Sequence, residues 1–547
     1  MKLKGKKLTR LTALLAALAL VISMAACGQS STATTEPETT TTAQAEPTPE
    51  PAEAEPEETA EPAAESAGVY IPGGRNVRSA QYDTAGYLQY ADKAQWVGEL
   101  TGEWYDIGYT IGEECADMIA ASTDYWWGEM CAEKGLEETI AAMDEYAYQI
   151  DALDPTQTEL LQGMTDGAES ALSTAEYGDT ANADYAKPFY RVLAASIFDC
   201  WLWGDPGSYM SGSDANGAAE GYINGDGCNS VAVKGSATVD GSTISSQVRH
   251  TQQAGLCYQA SMVYEAEDSN TVWTVGNVPS ANGLLLVNDK GVSISHHFGG
   301  ATTEASLTYE GGPYYGSAYG VPWPNLLFYA IKEADTAEEA LDILEHGSER
   351  YREITGRTTV LRDGAWNWMV CDEDTLSVIE VSPDRYAVRY AGEYTGEDWT
   401  DPDYIVCANH FLCPFSYDEN DQLTDVPMTI FNANTTSEDR FWTLMWELED
   451  VKGTIDVYTL QNMFQSTYIR DRETGEYIYV MEDDDGNLVP TGYVYGSVQG
   501  TLKDGGLTSG TNAAKIAVLR DGASTCYFCL GNPMDWQGEW DIFQFGG

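Results

Sequence analysis

The sequence predicts an α+β protein in which helices and strands occupy separate stretches of the chain. Residues from about 86 to 220 carry apolar side chains at helical spacing, whereas apolar runs typical of strands dominate from about 228 onward. Short turns join many of these strands, which favours antiparallel layers over a doubly wound parallel sheet. Hydrophobic residues make up 43% of the 547, so the chain has enough apolar surface to bury a core.

The helical stretch is indicated by two segments. Ile107, Ile111, Cys115 and Met118 recur at the spacing of one helix face. Further along, Asp154–Pro155 precedes an apolar-periodic segment and predicts the start of another helix.

The β part is indicated by apolar runs with turn residues between them. LLLV at 284–287 and VSIS at 292–295 flank the turn sequence Asn288-Asp-Lys-Gly, which predicts a hairpin. Further strands are predicted at 271–275 (TVWTV), 515–519 (KIAVL) and 525–530 (TCYFCL).

Two helices are predicted within the β part. Thr336 and Glu339 have the spacing of a capping box, and the apolar residues that follow Thr336 form one face. The second helix is predicted to follow Ser437.

The first 27 residues have the pattern of a secretory signal. Five basic residues precede the apolar run LTALLAALALVISMAA at 11–26, which is short for a membrane-spanning helix. Ala25 and Ala26 before Cys27 resemble a bacterial lipobox, and that resemblance implies cleavage before Cys27 and a lipid on its sulfur. The alternative is an ordinary signal peptide followed by a chance cysteine.

Residues 28–67 are expected to form a solvated tether. They contain ten Glu and six Pro, without Lys or Arg, and such a segment cannot bury apolar surface. A lipid on Cys27 and this tether would place the rest of the chain outside the bacterial cytoplasmic membrane and attached to it. We therefore expect a mostly helical region at 68–227 and a second region at 228–547.

The net charge of the chain argues against two classes of binding partner. The chain carries 86 Asp and Glu against 28 Lys and Arg, a net charge of −58. This balance argues against nucleic acid, which needs clustered basic residues, and against electrostatic docking on an anionic membrane surface. We expect membrane attachment through the lipid alone.

No nucleotide or metal motif stands out in the sequence. A G-x-S-x-G elbow, a P-loop, H-E-x-x-H and a dinucleotide-binding G-x-G-x-x-G are all absent, and there are five histidines. Cys407-x-x-His410-x-x-Cys413 is a weak zinc pattern because strand residues three apart point to opposite faces. We expect no cofactor and no metal.

The step Gly227–Cys228 has the features of a self-processing nucleophile. It precedes the run Asn229-Ser-Val-Ala-Val, and the chain turns at Asp240-Gly241 into a second predicted strand. Glycine leaves room for the thiol to attack the carbonyl group in front of it. Cleavage would free the α-amine of Cys228, which has an unperturbed pKa of about 7.7–8.0 and can act as general base for the thiol.

The segment DGCNSVAV, continued by ATVDGSTISSQ at 237–247, resembles the processing site of the isopenicillin-N (acyl-coenzyme A:6-aminopenicillanic acid) acyltransferase family, which lies near the choloylglycine hydrolases. Other blocks resemble this family in the same order. They are LTGEWYDIGYTIGEE at 100–114, LLQGMTDGAES at 160–170, Tyr319-Gly-Val-Pro322, VIEVSP at 378–383, CANHF at 407–411, SEDR at 437–440 and GNPMD at 531–535. The resemblance rests on this joint order over residues 86–547.

The resemblance implies a four-layer αββα sandwich of the N-terminal-nucleophile hydrolases and cleavage between Gly227 and Cys228. It implies Cys228 as nucleophile and Asn409 as the donor that stabilises the oxyanion. The two chains formed by cleavage would stay associated. The substrate would be a small-molecule amide or a peptide.

One position departs from the family pattern. Where the family usually has Asn-x-Asp at the end of the second strand, this chain has Gln247-Val-Arg249-His250. Three interpretations stay open: His250 supports the amine of Cys228, Arg249 binds a carboxylate of the substrate, or both residues are structural and activity is lost.

Two function classes follow. The first is an amidohydrolase or acyltransferase that acts on linear amide bonds through a thioester on Cys228. The second is a lipid-anchored ligand-binding protein on the same fold without catalysis. A Gly-Cys step followed by an Asn-His-Phe motif favours the enzyme, because a binding protein does not need them.

Overall fold

The computed structural model of the protein describes residues 74–76, 95–172, 188–197, 228–252, 259–279, 285–298, 308–309, 312–313, 320–364, 366–381, 385–393, 401–413, 436–465, 469–478, 480–482, 488–490, 509–530 and 540–546. The predicted signal segment 1–27, the predicted tether 28–67 and Gly227 lie outside these residues.

Over the ranges that the structure describes, the larger sheet has nine strands. They are β1 Gly74–Asn76, β2 Gln95–Gly102, β5 Gln259–Ala266, β6 Val272–Asn277, β7 Leu285–Asn288, β8 Ser293–Phe298, β11 Trp366–Cys371, β12 Leu376–Val381 and β13 Tyr386–Tyr390. This is also their spatial order, and neighbours are antiparallel except for the parallel pair β2 and β5.

The smaller sheet has six strands among the described residues and contains the two strands that follow Cys228. They are β3 Asn229–Val233, β4 Thr243–Gln252, β14 Tyr404–Cys407, β19 Ser509–Leu519, β20 Thr525–Leu530 and β21 Asp541–Gln544. Their spatial order is β14-β3-β4-β19-β20-β21, all antiparallel. Short two-stranded ribbons are formed by β9 Thr308–Tyr309 with β10 Gly312–Pro313, β15 Ile469–Arg470 with β16 Tyr477–Ile478, and β17 Val480–Glu482 with β18 Leu488–Pro490.

Helices form two groups along the chain. The first group is α1 Trp104–Glu114, α2 Ala116–Lys134, α3 Leu136–Leu153, α4 Pro155–Ala171 and α5 Pro188–Ser196. The later helices are α6 Trp323–Glu333, α7 Ala337–His346, α8 Glu349–Thr355, α9 Thr436–Val451 and α10 Val457–Phe464. Within the described residues, no helix has both the length and the apolar character needed to cross a bilayer.

In the described parts of the chain, alternating side chains along the strands contribute to three separate cores. In β6, Val272 belongs to the core that contains residues of helices α1–α8, whereas Trp273 belongs to the core between the two sheets. In β3, Ala232 lies between the sheets, whereas Val231 and Val233 pack against α9 and α10. The result is a four-layer αββα sandwich, and the predicted α+β class is confirmed.

Local signals in the sequence predicted several boundaries correctly. Asp154 caps α4 by accepting from the main-chain N–H of Thr156 at 3.2 Å, with Pro155 as the first helical residue. Thr336 caps α7 by accepting from the N–H of Glu339 at 3.2 Å. At the predicted hairpin, Asn288 Oδ1 accepts from two later N–H groups and closes the turn between β7 and β8.

The strand β2 was not predicted, although it lies just before the first helix. Its residues Trp96, Gly98 and Leu100 are buried and Glu99 is exposed, a period of two that could have been found. Because β2 pairs with β5, the upstream region adds a strand to the same sheet that the downstream region builds.

Candidate active site

Cys228 is buried at the beginning of β3, between two neighbouring strands. On one side β3 pairs with β4, where Asn229 lies opposite Val248. Continuing this register by one residue places Arg249 beside Cys228. The Sγ atom of Cys228 lies 3.9 Å from the main-chain oxygen of His250.

On its other side β3 pairs with β14, where Ser230 lies opposite Cys407. The chain leaves β14 just after Cys407, and continuing the register brings Asn409 to the level of Cys228. Two residues 181 positions apart in the sequence therefore meet because β14 returns beside β3.

Arg440 joins these two residues directly. It lies near the beginning of α9 and is buried, with 1% of its surface exposed. Its Nη1 donates to the main-chain oxygen of Cys228 at 3.0 Å and to Asn229 Oδ1 at 2.5 Å, and its Nη2 donates to Asn409 Oδ1 at 3.0 Å. The planar guanidinium thus fixes the start of β3 and the amide of Asn409 relative to each other.

The amide group of Asn409 is oriented by contacts on both of its ends. Its oxygen accepts from Arg440, and its Nδ2 donates to the main-chain oxygen of Phe298 at 2.8 Å. An asparagine Nδ2 carries two protons, and the bond to Phe298 uses one of them. The orientation is therefore set such that nitrogen is the donor side, as an oxyanion requires.

The turn that carries Asn409 is held by buried polar side chains. Ser437 Oγ accepts from the N–H of Asn409 at 2.8 Å and lies 2.8 Å from His410 Nδ1. Asn367 on β11 donates to the main-chain oxygens of Ala408 and His410, both at 3.0 Å.

The side chain of Arg249 extends from β4 toward the larger sheet. Its Nε lies 3.3 Å from His296 Nε2 on β8, and it is 2% exposed. Gln247, two residues earlier on the same face of β4, exchanges hydrogen bonds with the main-chain N–H and oxygen of His296. The His296 ring stacks on Trp323 at 4.2 Å between ring centres.

His250 is also buried and lies at an irregular point of the sheet. Thr511 on β19 lies opposite His250 and Ala513 lies opposite Arg249, so Asn512 between them forms a bulge. The structure thus places the predicted residues Cys228, Arg249, His250 and Asn409 in one region. Gly227 lies outside the described residues.

Buried arginines lie near the turn, although the chain carries a net charge of −58. Burial, together with the charges of Arg389 and Arg440, lowers the pKa of His410 to about 3. Burial likewise lowers the pKa of His297 to about 3, against a hydrogen bond to the main-chain oxygen of Asn367. Both histidines are neutral and Arg389 is paired with the Glu380 carboxylate, so Arg440, which contacts Asn409, provides the positive charge that would favour an oxyanion.

In the part of the chain that the structure describes, no group of three or more His, Cys, Asp or Glu side chains is arranged to hold a metal ion. The zinc pattern at 407–413 is used differently: Cys407 Sγ lies 3.3 Å from His297 Nδ1, and His410 Nδ1 contacts Ser437.

Two residues of this region were quoted in sequence blocks without a role, namely Arg440 in SEDR and Glu380 in VIEVSP. A signal for Arg440 existed, because a cation near a helix N-terminus is unfavourable with the helix dipole unless something else requires it. A charged Glu380 inside an otherwise apolar strand was a similar signal.

No protein-family profile and no curated protein matches the sequence. Among solved structures, the chain is similar to a mutant conjugated bile acid hydrolase from Clostridium perfringens, at 12% identity and a TM-score of 0.31, covering 55% of this chain and 89% of that one. It is similar to a Caenorhabditis elegans orthologue of N-acylethanolamine-hydrolyzing acid amidase, at 9% identity and a TM-score of 0.31, covering 53% and 92%. It is also similar to penicillin V acylase from Agrobacterium tumefaciens, at 11% identity and a TM-score of 0.28, covering 55% and 83%. These three proteins are a hydrolase, an amidase and an acylase.

Proposed function

We propose that the chain is a cysteine N-terminal-nucleophile amidohydrolase or acyltransferase that is cut between Gly227 and Cys228. The observation that carries the proposal is the bridge made by Arg440, whose buried guanidinium joins the main chain of Cys228 to the side chain of Asn409. This arrangement places a thiol, an oriented amide donor and a fixed positive charge together, which is what acyl transfer needs.

Self-processing uses the same groups. The Cys228 thiol adds to the carbonyl carbon of Gly227, and the peptide C–N bond then breaks. The departing nitrogen takes up a proton and becomes the α-amine of Cys228. Water hydrolyses the thioester that has formed, which leaves a carboxylate on Gly227 and restores the thiol.

The mature enzyme would repeat this chemistry on a linear amide. The α-amine of Cys228 takes the thiol proton while sulfur adds to the substrate carbonyl carbon. The second Nδ2 proton of Asn409 is donated to the oxyanion, and the C–N bond breaks as the amine proton passes to the leaving nitrogen. Water or an amine then attacks the thioester and gives its proton to the α-amine.

Arg249 and His250 have different parts in this proposal. His250, whose main-chain oxygen lies near the Cys228 thiol, supports the position of the nucleophile and of its amine. Arg249 adds a second cation beside Cys228 for a carboxylate of the substrate, oriented by its contact with His296.

We further propose that Cys27 carries a lipid and that residues 28–67 tether the enzyme outside the bacterial membrane. Substrates are then small-molecule amides or peptides, and the chains produced by cleavage remain together. Because β2 of the upstream chain pairs with β5 of the downstream chain, separating them would break a sheet.

The test is intact mass with N-terminal sequencing of protein expressed from residue 68. We expect two fragments, one of which begins Cys-Asn-Ser-Val. The cleaved protein is then assayed with N-phenylacetyl- and N-hexanoyl-4-nitroanilide, with penicillin V, and with a glycine-conjugated bile acid.

Variants at Cys228 are the matched controls. Cys228→Ala should abolish both cleavage and hydrolysis, and Cys228→Ser should be processed more slowly, since a hydroxyl is the poorer nucleophile at neutral pH. Amide hydrolysis retained by Cys228→Ala would contradict the proposal. A single uncut chain without activity would instead favour the alternative function, a ligand-binding protein on the same fold.

A further inference from the structure

The edge of the larger sheet contains a buried ion pair that the chemistry above does not use. Glu380 lies on β12 and Arg389 on the adjacent β13, and Arg389 Nε lies 3.1 Å from Glu380 Oε1. The side chains are 0% and 7% exposed. A buried ion pair of this kind stabilises the folded protein little more than apolar residues of the same size would. Stability alone therefore does not explain why the pair is present.

Both partners of the pair contact the chain on either side of Asn409. The Glu380 carboxylate accepts from the N–H of Leu412 at 3.0 and 2.9 Å and from the N–H of Cys413 at 2.7 Å. Arg389 Nη2 donates to the main-chain oxygen of Val406 at 2.8 Å.

We propose that Glu380 and Arg389 are positioning residues for Asn409, and this inference rests on the function proposed above. Val406 lies three residues before Asn409 and Leu412 lies three residues after it, so the pair holds both ends of the turn. Val406 belongs to the smaller sheet and the pair to the larger one. The pair therefore also fixes the distance between the two sheets at the place where Asn409 leaves its strand.

The geometry gives a reason for a carboxylate at this position. Successive N–H groups of a tight turn need an acceptor when they are buried, and a carboxylate accepts several bonds at once. In a glutamine at this position, the amide NH₂ group would replace one carboxylate oxygen. It would then face the main-chain N–H groups of Leu412 and Cys413 instead of accepting from them. Oxyanion stabilisation depends on donor placement within a fraction of an ångström, so a loosened turn lowers the rate of acylation more than it weakens substrate binding.

The first experiment measures hydrogen exchange at Leu412 and Cys413, which requires no activity. In Glu380→Gln we expect these two amides to exchange at least tenfold faster, while the amides of β3 and β4 keep the rates of the unsubstituted protein. Unchanged exchange at Leu412 and Cys413 would overturn the inference, even if the unsubstituted protein proves to be neither cleaved nor active. That last result would refute the proposed function separately.

The second experiment is a double-mutant cycle on cleaved protein with N-phenylacetyl-4-nitroanilide. Glu380→Gln should lower kcat at least tenfold and change KM less than twofold. In an Asn409→Ala background the same change should lower kcat less than twofold, because the pair acts through Asn409. If Glu380→Gln lowered kcat by the same factor with and without Asn409→Ala, the inference would be overturned.

Two further variants separate positioning from stability. Lys332→Met breaks an equally buried ion pair with Asp154, 2.9 Å apart in the helical layer, and should lower the Tm while kcat per folded molecule stays within twofold. Glu380→Leu/Arg389→Met removes both charges together and is used if Glu380→Gln alone prevents folding. It should fold and show the same tenfold loss, and parent-like kcat in it would overturn the inference.

Discussion

Arg440 Nη2 donates to Asn409 Oδ1 at 3.0 Å while its Nη1 donates to the main-chain oxygen of Cys228 at the same distance. A single planar group therefore sets the separation between the proposed nucleophile and the proposed oxyanion donor. Because the two ends of the guanidinium cannot move independently, the two residues keep one relative position.

Replacement of Arg440 by lysine should impair both processing and turnover. The single ammonium group of lysine cannot make all the hydrogen bonds of the arginine guanidinium, so we expect kcat to fall about 10- to 100-fold. Because buried oxygens lose a donor, the unfolding free energy should also fall by about 1–3 kcal/mol. Cleavage half-time by intact mass, kcat and chemical unfolding measure these effects. Arg350→Lys, in an exposed pair with Asp151, is the control and should change little. Parent-like processing by Arg440→Lys would refute the role given to this residue.

Substitutions at Asn409 should separate catalysis from structure. Asn409→Ala removes the donor and should lower kcat by about 100-fold, or about 3 kcal/mol, with little change in KM. Asn409→Asp keeps an oxygen for Arg440 but places a negative charge where the oxyanion forms and a second oxygen against the main-chain oxygen of Phe298. It should therefore lose at least as much activity as Asn409→Ala and should also lower the Tm. Steady-state kinetics and thermal unfolding of both variants test this, and an active Asn409→Asp would exclude Asn409 as the donor.

The crossing of α1 and α4 depends on glycines at the contact. A Cβ added to Gly108 would lie 2.0 Å from the main-chain oxygen of Leu160, and one added to Gly163 would lie 2.1 Å from that of Tyr105. Gly163→Ala should therefore lower the free energy of unfolding by about 2–3 kcal/mol, because the helices must move apart.

The matched control is Gly128→Ala on α2, where an added Cβ meets nothing within 4 Å. This change should raise stability by up to about 1 kcal/mol, since alanine favours helix. Chemical unfolding of both variants measures the difference, and equal effects at the two positions would contradict the close packing of α1 on α4.

Two buried histidines should make the protein sensitive to acid. Burial lowers the pKa of both His297 and His410 to about 3, whereas the unfolded chain titrates near ~6.5. Between these values the unfolded state binds more protons, so each histidine makes stability fall by up to about 1.4 kcal/mol per pH unit as pH drops from 6.5 toward 3. Above pH 6.5 this contribution to stability is fully present.

Chemical unfolding at pH 7, 5.5 and 4.5 tests this dependence. His410→Gln should reduce the slope between pH 6.5 and 4.5 by up to about 1.4 kcal/mol per pH unit, since one titrating group is removed. An unchanged slope in His410→Gln would show that folding does not lower the pKa of this histidine.

Helix and turn boundaries that depend on residues close together in the chain were predicted from the sequence. Asp154–Pro155 and Thr336 begin helices because their side chains satisfy N–H groups within a few residues. The turn at Asn288 likewise depends on its own side chain. The strand β2 was missed because the upstream pattern was interpreted as helical, although its alternation is visible.

The candidate site divides in the same way. The sequence by itself determined the α+β class through its alternating and helical patterns, and its Gly-Cys step made Cys228 a candidate. The ordered resemblance implied the αββα sandwich and added Asn409 as a candidate. Only the tertiary structure decided that Arg440 joins these two residues and that Glu380 and Arg389 hold the turn between Val406 and Leu412. These contacts cross between strands and helices far apart in the chain, and side chains that meet through such pairings leave no periodic or short-range signal in one sequence.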